Sequence, residues 1–242
     1  NFQNDFLGVE KRRWQISNND DIPLIRSKQV SVGINYSKNG WLLSAEAYHK
    51  NVYDITAQSQ GFQNQYEFEK ATGDYKANGV DVILRKQIHN FNAWLSYAYL
   101  NSDYTFTSFP EQRFPSNYNI NHAITLGATY TYKDLKVSSG LNWFSGNPTT
   151  LPVSGNEIVN NEINFEPSNN SQLNDYLKVD ISALYNFKIG NDTKADIGAS
   201  IWNIFDRKNE INNFFRVNND NVDETLQTSL GFYPNVVMRV YF

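Results

Sequence analysis

Three histidines, His49, His89 and His122, are the only imidazoles in the chain, and cysteine is absent. The histidines have no paired spacing, so the ligand pattern of a zinc or iron centre is missing. Without thiols there is no disulfide framework, thiolate metal site or cysteine nucleophile. The runs NNDD at 18–21 and NNDNVDE at 218–224 carry carboxylate and amide oxygens that could hold calcium. They lack the ordered loop's glycine and closing glutamate, and read as solvated loop. No Gly-x-Ser-x-Gly elbow occurs, and with it goes the plainest nucleophile signature. The chain therefore reads as a non-enzyme with no cofactor, and its function must lie in how side chains are presented.

Presentation depends on the elements. Aromatic residues make up 15% of the 242 residues, with 15 Tyr and 16 Phe, while mean hydropathy is -0.56. No apolar run approaches the roughly 20 residues of a spanning helix. Alternation of period two recurs instead, and marks strands with one apolar and one polar face. It appears at 27–36, 41–51, 75–88, 91–100, 120–132, 135–144, 176–187 and 194–205, and again in the closing run GFYPNVVMRVYF. Asn39-Gly40, His89-Asn90, Lys133-Asp134 and a stretch with Gly190-Asn191 make short turns within hairpins. Between the hairpins lie the longer connections 52–74, 103–119, 147–175 and 206–227. Short and long connections alternate strictly, which puts all the tight turns at one end of an up-and-down sheet and all the long loops at the other.

Charge separates by parity. Val80, Val82, Leu84, Ile124, Leu126, Ala128, Val179, Ile181, Ile197 and Ala199 share the apolar parity, where Lys86 is the one charge found, near a strand end. Glu46, Lys50, Asp81, Arg85, Lys136, Lys178, Asp180, Asp196 and Arg239 lie on the other. A Lys or Arg facing lipid at mid-bilayer costs about 2–4 kcal/mol, so lipid would impose this segregation. The core of a soluble sandwich would impose it too. Aromatics on the apolar parity, among them Tyr36, Trp41, Phe91, Tyr97, Tyr99, Tyr130, Tyr132, Trp143, Tyr185, Phe187, Phe205 and Phe242, cluster near strand ends. Rings there suit membrane interfaces. A net charge of -4 without a basic stripe excludes nucleic acid as a partner.

Several segments resemble TonB-dependent outer-membrane receptors. GFYPNVVMRVYF resembles the family's last barrel strand, and IWNIFDRKN (201–209) its penultimate one. FPSNYNINHAITL (114–126) is similar to a strand entry, with Asn119 where Asp is more usual, and WFSGNPTTLP (143–152) to a Ser-Gly-x-Pro strand exit. The likeness runs from about Ile22 to Phe242. It implies an all-β, antiparallel up-and-down transmembrane barrel of about 22 strands, of which this chain supplies about nine from the C-terminal portion, with residues 1–25 as the tail of an outer loop. Asn1 is neither an initiator Met nor part of a leader, so a processing boundary is expected there. The plug and TonB box would lie upstream or on a second chain.

The resemblance further implies active import of a scarce substrate (siderophore, vitamin, glycan or peptide) through the cell outer membrane, energised by TonB acting on the plug. Lipid, the rest of the barrel and the barrel assembly machinery are then the partners. Phe232, Val236, Met238, Val240 and Phe242 would face lipid, the terminal Phe being the assembly signal. Glu46, Asp81, Arg85, Asp180, Asp196 and Arg239 would face the lumen, Asp81 and Arg85 within a salt-bridge network. Phe62, Tyr66, Tyr104, Phe106 and Phe109 are the candidate substrate contacts, with packing of loop on loop as the alternative role. A passive porin-like barrel and a soluble β-rich carbohydrate- or protein-binding module remain the alternative functions.

Overall fold

The computed structural model describes residues 2–4, 10–12, 17–18, 23–57, 60, 71–190, 193–219 and 221–241. Nine long strands form a meander: β1 (Arg26–Lys38), β2 (Trp41–Thr56), β3 (Thr72–Ile88), β4 (Phe91–Thr105), β5 (His122–Tyr132), β6 (Leu135–Phe144), β7 (Tyr176–Ile189), β8 (Thr193–Trp202) and β9 (Tyr233–Tyr241). Each pairs antiparallel with its sequence neighbours, so spatial order follows chain order, and Arg113–Pro115 adds a tenth, short strand beside β4. No α-helix occurs among the described residues. Asn39 and Gly40 both take positive φ (50° and 73°), the conformation a two-residue hairpin turn requires.

Register carries the sequence parity across the whole sheet. One row runs Ile34, Ala45, Val82, Tyr97, Ile124, Trp143 and Leu177. Another runs Leu43, Leu84, Leu95, Leu126, Leu141 and Val179, reaching Ile201 and Val236 through their neighbours. Among the described residues no second layer covers this face: Val32 is 72% exposed on β1, Ile197 46% on β8 and Met238 60% on β9. A soluble sandwich would bury these side chains, whereas lipid covers them without a protein partner. On β4 the face runs from Phe91 to Tyr99, eight steps or ~26 Å of strand, with aromatics at both ends. Lys86 is accommodated beside the turn, its Nζ donating to Asn39 O at 2.9 Å and lying 4.4 Å from the Trp41 ring centre. The stem runs over the apolar face and the charge escapes to the interface.

The buried apolar cluster sits at the loop end of the sheet. Ile55, Ala57, Ala71, Tyr104, Phe106, Phe109 and Phe114 form it, with Val52 and Tyr75 packed alongside. It roots in the long outer ends of β2, β3 and β4 and is closed by the β4–β5 connection. Strands extend further there than alternation suggests, β2 to Thr56 and β4 to Thr105. The 206–227 connection, expected as loop, contains a hairpin, Glu210–Asn218 with Asn221–Thr228.

Candidate functional site

Two surfaces can act on a solute: the polar face of the sheet and the layer of long connections at its end. On the polar face Glu46, Asp81, Arg85, Asp180, Asp196 and Arg239 all share one side. Asp81 and Arg85, expected within a salt-bridge network, form no ion pair with each other among the described residues. Arg85 Nε instead donates to Asn92 Oδ1 at 3.0 Å, and Asp81 sits directly across from Glu46. The spacing explains this: residues four apart on one strand lie ~13 Å apart, while cross-strand partners are adjacent. Asp196 faces Arg239 in register, yet its carboxylate accepts from Asn186 Nδ2 and, at 2.9 Å, from Tyr241 Oη. Asp180 pairs with Lys178 at 3.1 Å and caps Asn203 N at 2.9 Å.

Tyr104, Phe106 and Phe109 are 1%, 0% and 5% exposed. The Phe106 and Phe109 rings stack at 4.9 Å, and Tyr104 tilts against Phe114 at 5.8 Å. Of the two roles open to these rings, substrate contact and packing of loop on loop, the described residues show them packed together at the strand ends. Phe62 and Tyr66 lie outside the described residues, as does Phe242. Phe232, Val236, Met238 and Val240 are on or beside β9, and all are at least 37% exposed. His49 bonds Asn78 and Asn51, and His122 bonds Tyr97; among the described residues no cluster suited to a metal ion is present.

The loop layer is held by amides. Asn203, buried and at φ 51°, donates from Nδ2 to Arg207 O and Leu230 O and accepts from Arg207 N. Asn209 binds both Leu177 N and Leu177 O, which continues the ladder of β7 with a side chain. Asp206 Oδ1 accepts Phe232 N at 2.8 Å, and that N–H with Lys208 holds the carboxyl below the usual range. A Cβ at Gly231 would stand 2.3 Å from the same oxygen. The IWNIFDRKN and GFYP segments are thus two halves of one clip.

Where the β4–β5, β6–β7 and β8–β9 connections meet, a cleft of about 740 Å³ opens, lined by Asn117, Tyr118, Ile120, Asn147, Pro148, Thr149, Thr150, Ile163, Phe165, Asn169 and Ile211–Phe215. Hydrogen bonds fix its walls: Thr149 Oγ1 to Asn213 Oδ1 at 2.6 Å, Asn147 Nδ2 to Ile211 O at 3.1 Å, and Asn169 Nδ2 to Pro115 O at 2.8 Å and Asn117 Oδ1 at 2.9 Å. Sequence reasoning missed the cleft because its residues come from three connections that only folding brings together. The Asn-rich composition of those connections was the one signal available.

A family model described as "TonB dependent receptor-like, beta-barrel" matches residues 5–228. No curated protein sequence matches the chain. Solved structures share its architecture. The ferric citrate transporter FecA in unliganded form has 14% identity and a TM-score of 0.62 over 89% of this chain and 31% of that one. The FrpB iron transporter from Neisseria meningitidis has 14% identity and a TM-score of 0.59 over 90% and 31%. The outer membrane transporter YddB from Escherichia coli has 13% identity and a TM-score of 0.59 over 90% and 33%. At such identities the likeness is one of fold, and the chain spans 31–33% of these transporters' lengths. The family is one of receptors and transporters, not of enzymes. The chain belongs to the TonB-dependent receptor-like β-barrel family and resides in the outer membrane, its nine strands forming part of a barrel.

Proposed function

We propose that the chain supplies wall and outer loops to an active importer, in which TonB, driven by the proton-motive force, acts on a plug held in the lumen. One observation supports this reading: the β4–β5, β6–β7 and β8–β9 connections lock into a hydrogen-bonded layer with a cleft of its own. A sieve needs only a polar wall, whereas a receptor for scarce solute needs a preorganised outer surface. In this reading Glu46, Asp81, Arg85, Asp180, Asp196 and Arg239 line the lumen, and the opposed carboxylates of Glu46 and Asp81 await a cation from the plug. Among the described residues strands β1 and β9 have one neighbour each. Open edges in hydrocarbon are not tolerated, so further strands close the wall on both sides. Phe232, Val236, Met238, Val240 and Phe242 then present the lipid-facing strand that the barrel assembly machinery engages.

The test is uptake by cells carrying the full receptor. Collapse of the proton gradient, or loss of TonB, should abolish accumulation of a bound solute and leave surface binding intact. Uptake that continues unchanged would mean a passive porin-like barrel.

A further inference from the structure

We propose that the cleft between the outer loops takes a neutral, polyhydroxylated ligand, a short oligosaccharide, as the solute this receptor selects; the assignment rests on the importer reading above. The first ground is charge. Among the described residues no Asp, Glu, Lys, Arg or His lines the cleft. Three carboxylates on or beside these connections are committed to loop groups: Glu111 accepts from Ser168 N, Glu210 from Asn174 N and Nδ2, and Glu224 from Asn213 Nδ2. An anionic metal chelate would give up its hydration there with no cation in the lining to meet it, and a cation would find no carboxylate among the lining residues.

The second ground is the chemistry that remains. Tyr118 is 65% and Phe214 42% exposed at the cleft, and Phe165 meets Phe215 edge-on at 6.2 Å. Sugar rings carry apolar C–H faces that lie flat on such rings, with hydroxyls around the rim that both donate and accept. Amides and phenols offer both roles in return. The cross-loop bond to Ile211 O consumes Asn147 Nδ2, and the adjacent Asn213 N–H occupies Asn212 Oδ1, which leaves Asn147 Oδ1, Asn212 Nδ2 and the Tyr118 hydroxyl without a partner among the described residues. A rigid frame with aromatic platforms and spare amide atoms binds without first having to be ordered. The volume, about 740 Å³, falls within the range of ~300–1,000 Å³ typical of small-ligand sites.

The experiment uses the full receptor containing this chain, purified in detergent. Binding is measured on an array of neutral oligosaccharides, with ferric citrate as the charged comparison, in low and high salt. At least one neutral oligosaccharide should bind with an affinity unchanged by salt, and Tyr118→Ala and Phe214→Ala should each weaken it tenfold or more while the barrel keeps its heat-modifiable mobility. Absence of any neutral binder, an affinity that falls steeply with salt, competition by ferric citrate, or full binding by both folded variants overturns the assignment. If the oligosaccharide binds as expected but enters cells without TonB, the importer reading fails and the cleft assignment stands. If energised uptake of another solute survives both substitutions, the reverse holds.

Discussion

Two adjacent residues of β5 test which face of the sheet meets lipid. Leu126 lies between Leu95 and Leu141 on the aliphatic face, and Thr125 between Ser96 and Asn142 on the polar face. Leu126 is four residues from His122 at one strand end and six from Tyr132 at the other, which places it near the middle of the apolar band. Arginine at a barrel's midplane facing lipid costs about 2–4 kcal/mol. At ~1.4 kcal/mol per decade that is roughly a 30- to 1,000-fold loss in the folding equilibrium constant for Leu126→Arg. Thr125→Arg puts the same charge on the same strand one residue away, toward a hydrated lumen, where substitutions away from packed features stay within about 0.5 kcal/mol. The full receptor is folded reversibly into phosphatidylcholine vesicles across a denaturant series, and the midpoints of both variants are compared with the parent. Equal losses, or a greater loss for Thr125→Arg, would refute the assignment of faces and with it the barrel.

Phe106→Ala should destabilise the loop end by ~3–5 kcal/mol, since a fully buried ring leaves a cavity among Tyr104, Phe109 and Phe114; faster amide exchange confined to 104–116 is the expected readout. Asn203→Ala removes an αL residue and orphans the carbonyls of Arg207 and Leu230, at ~1–3 kcal/mol, and proteolysis within 204–231 should report it. The Asp206 clip titrates. Its folded carboxyl is lowered by Phe232 N–H and Lys208, so its contribution is present above the ordinary aspartate value and fades as pH falls through the lowered one. Slowed exchange at the Phe232 amide should therefore weaken in acid, and in Asp206→Asn lose that pH dependence. Glu111 runs the other way: burial raises its carboxyl, so the folded state holds the proton more tightly and acid favours it. Stability falls as pH rises from the ordinary glutamate value to the raised one; an Ile- or Gln-substituted Glu111 should flatten that limb of a stability profile.

The strands were legible because lipid and lumen each act on every second residue. Parity alone assigns Val82, Leu126 and Ile181 to one face and Asp81, Asp180 and Asp196 to the other, and no long-range contact is needed to know it. Turn chemistry was equally local, as at Asn39-Gly40. Strand length was not. Beyond Asn51 and Leu100 the alternation weakens, yet β2 and β4 continue to Thr56 and Thr105. There the outer ends are held by Phe106, Phe109 and Phe114 folding back on them, and not by the difference between lipid and water.

The same reasoning explains why a sequence leaves the role of Tyr104, Phe106 and Phe109 open between ligand contact and packing. A ring in a polar connection reads as a ligand contact because nothing nearby in sequence could bury it; in the folded chain Tyr104 and Phe114, ten residues apart, bury one another across a paired backbone. The segments that looked like family signatures contribute in a different way. Asn203 and Asp206 in one and Gly231 in the other are separated by a whole hairpin, yet two hydrogen bonds cross between the segments, Asn203 Nδ2 to Leu230 O and Phe232 N to Asp206 Oδ1, and the same Asp206 oxygen forbids a Cβ at Gly231. Such residues fix where the β8–β9 connection leaves and re-enters the sheet. Whatever the hairpin between them presents to solute, Phe214 included, is therefore free to change without moving the barrel beneath it.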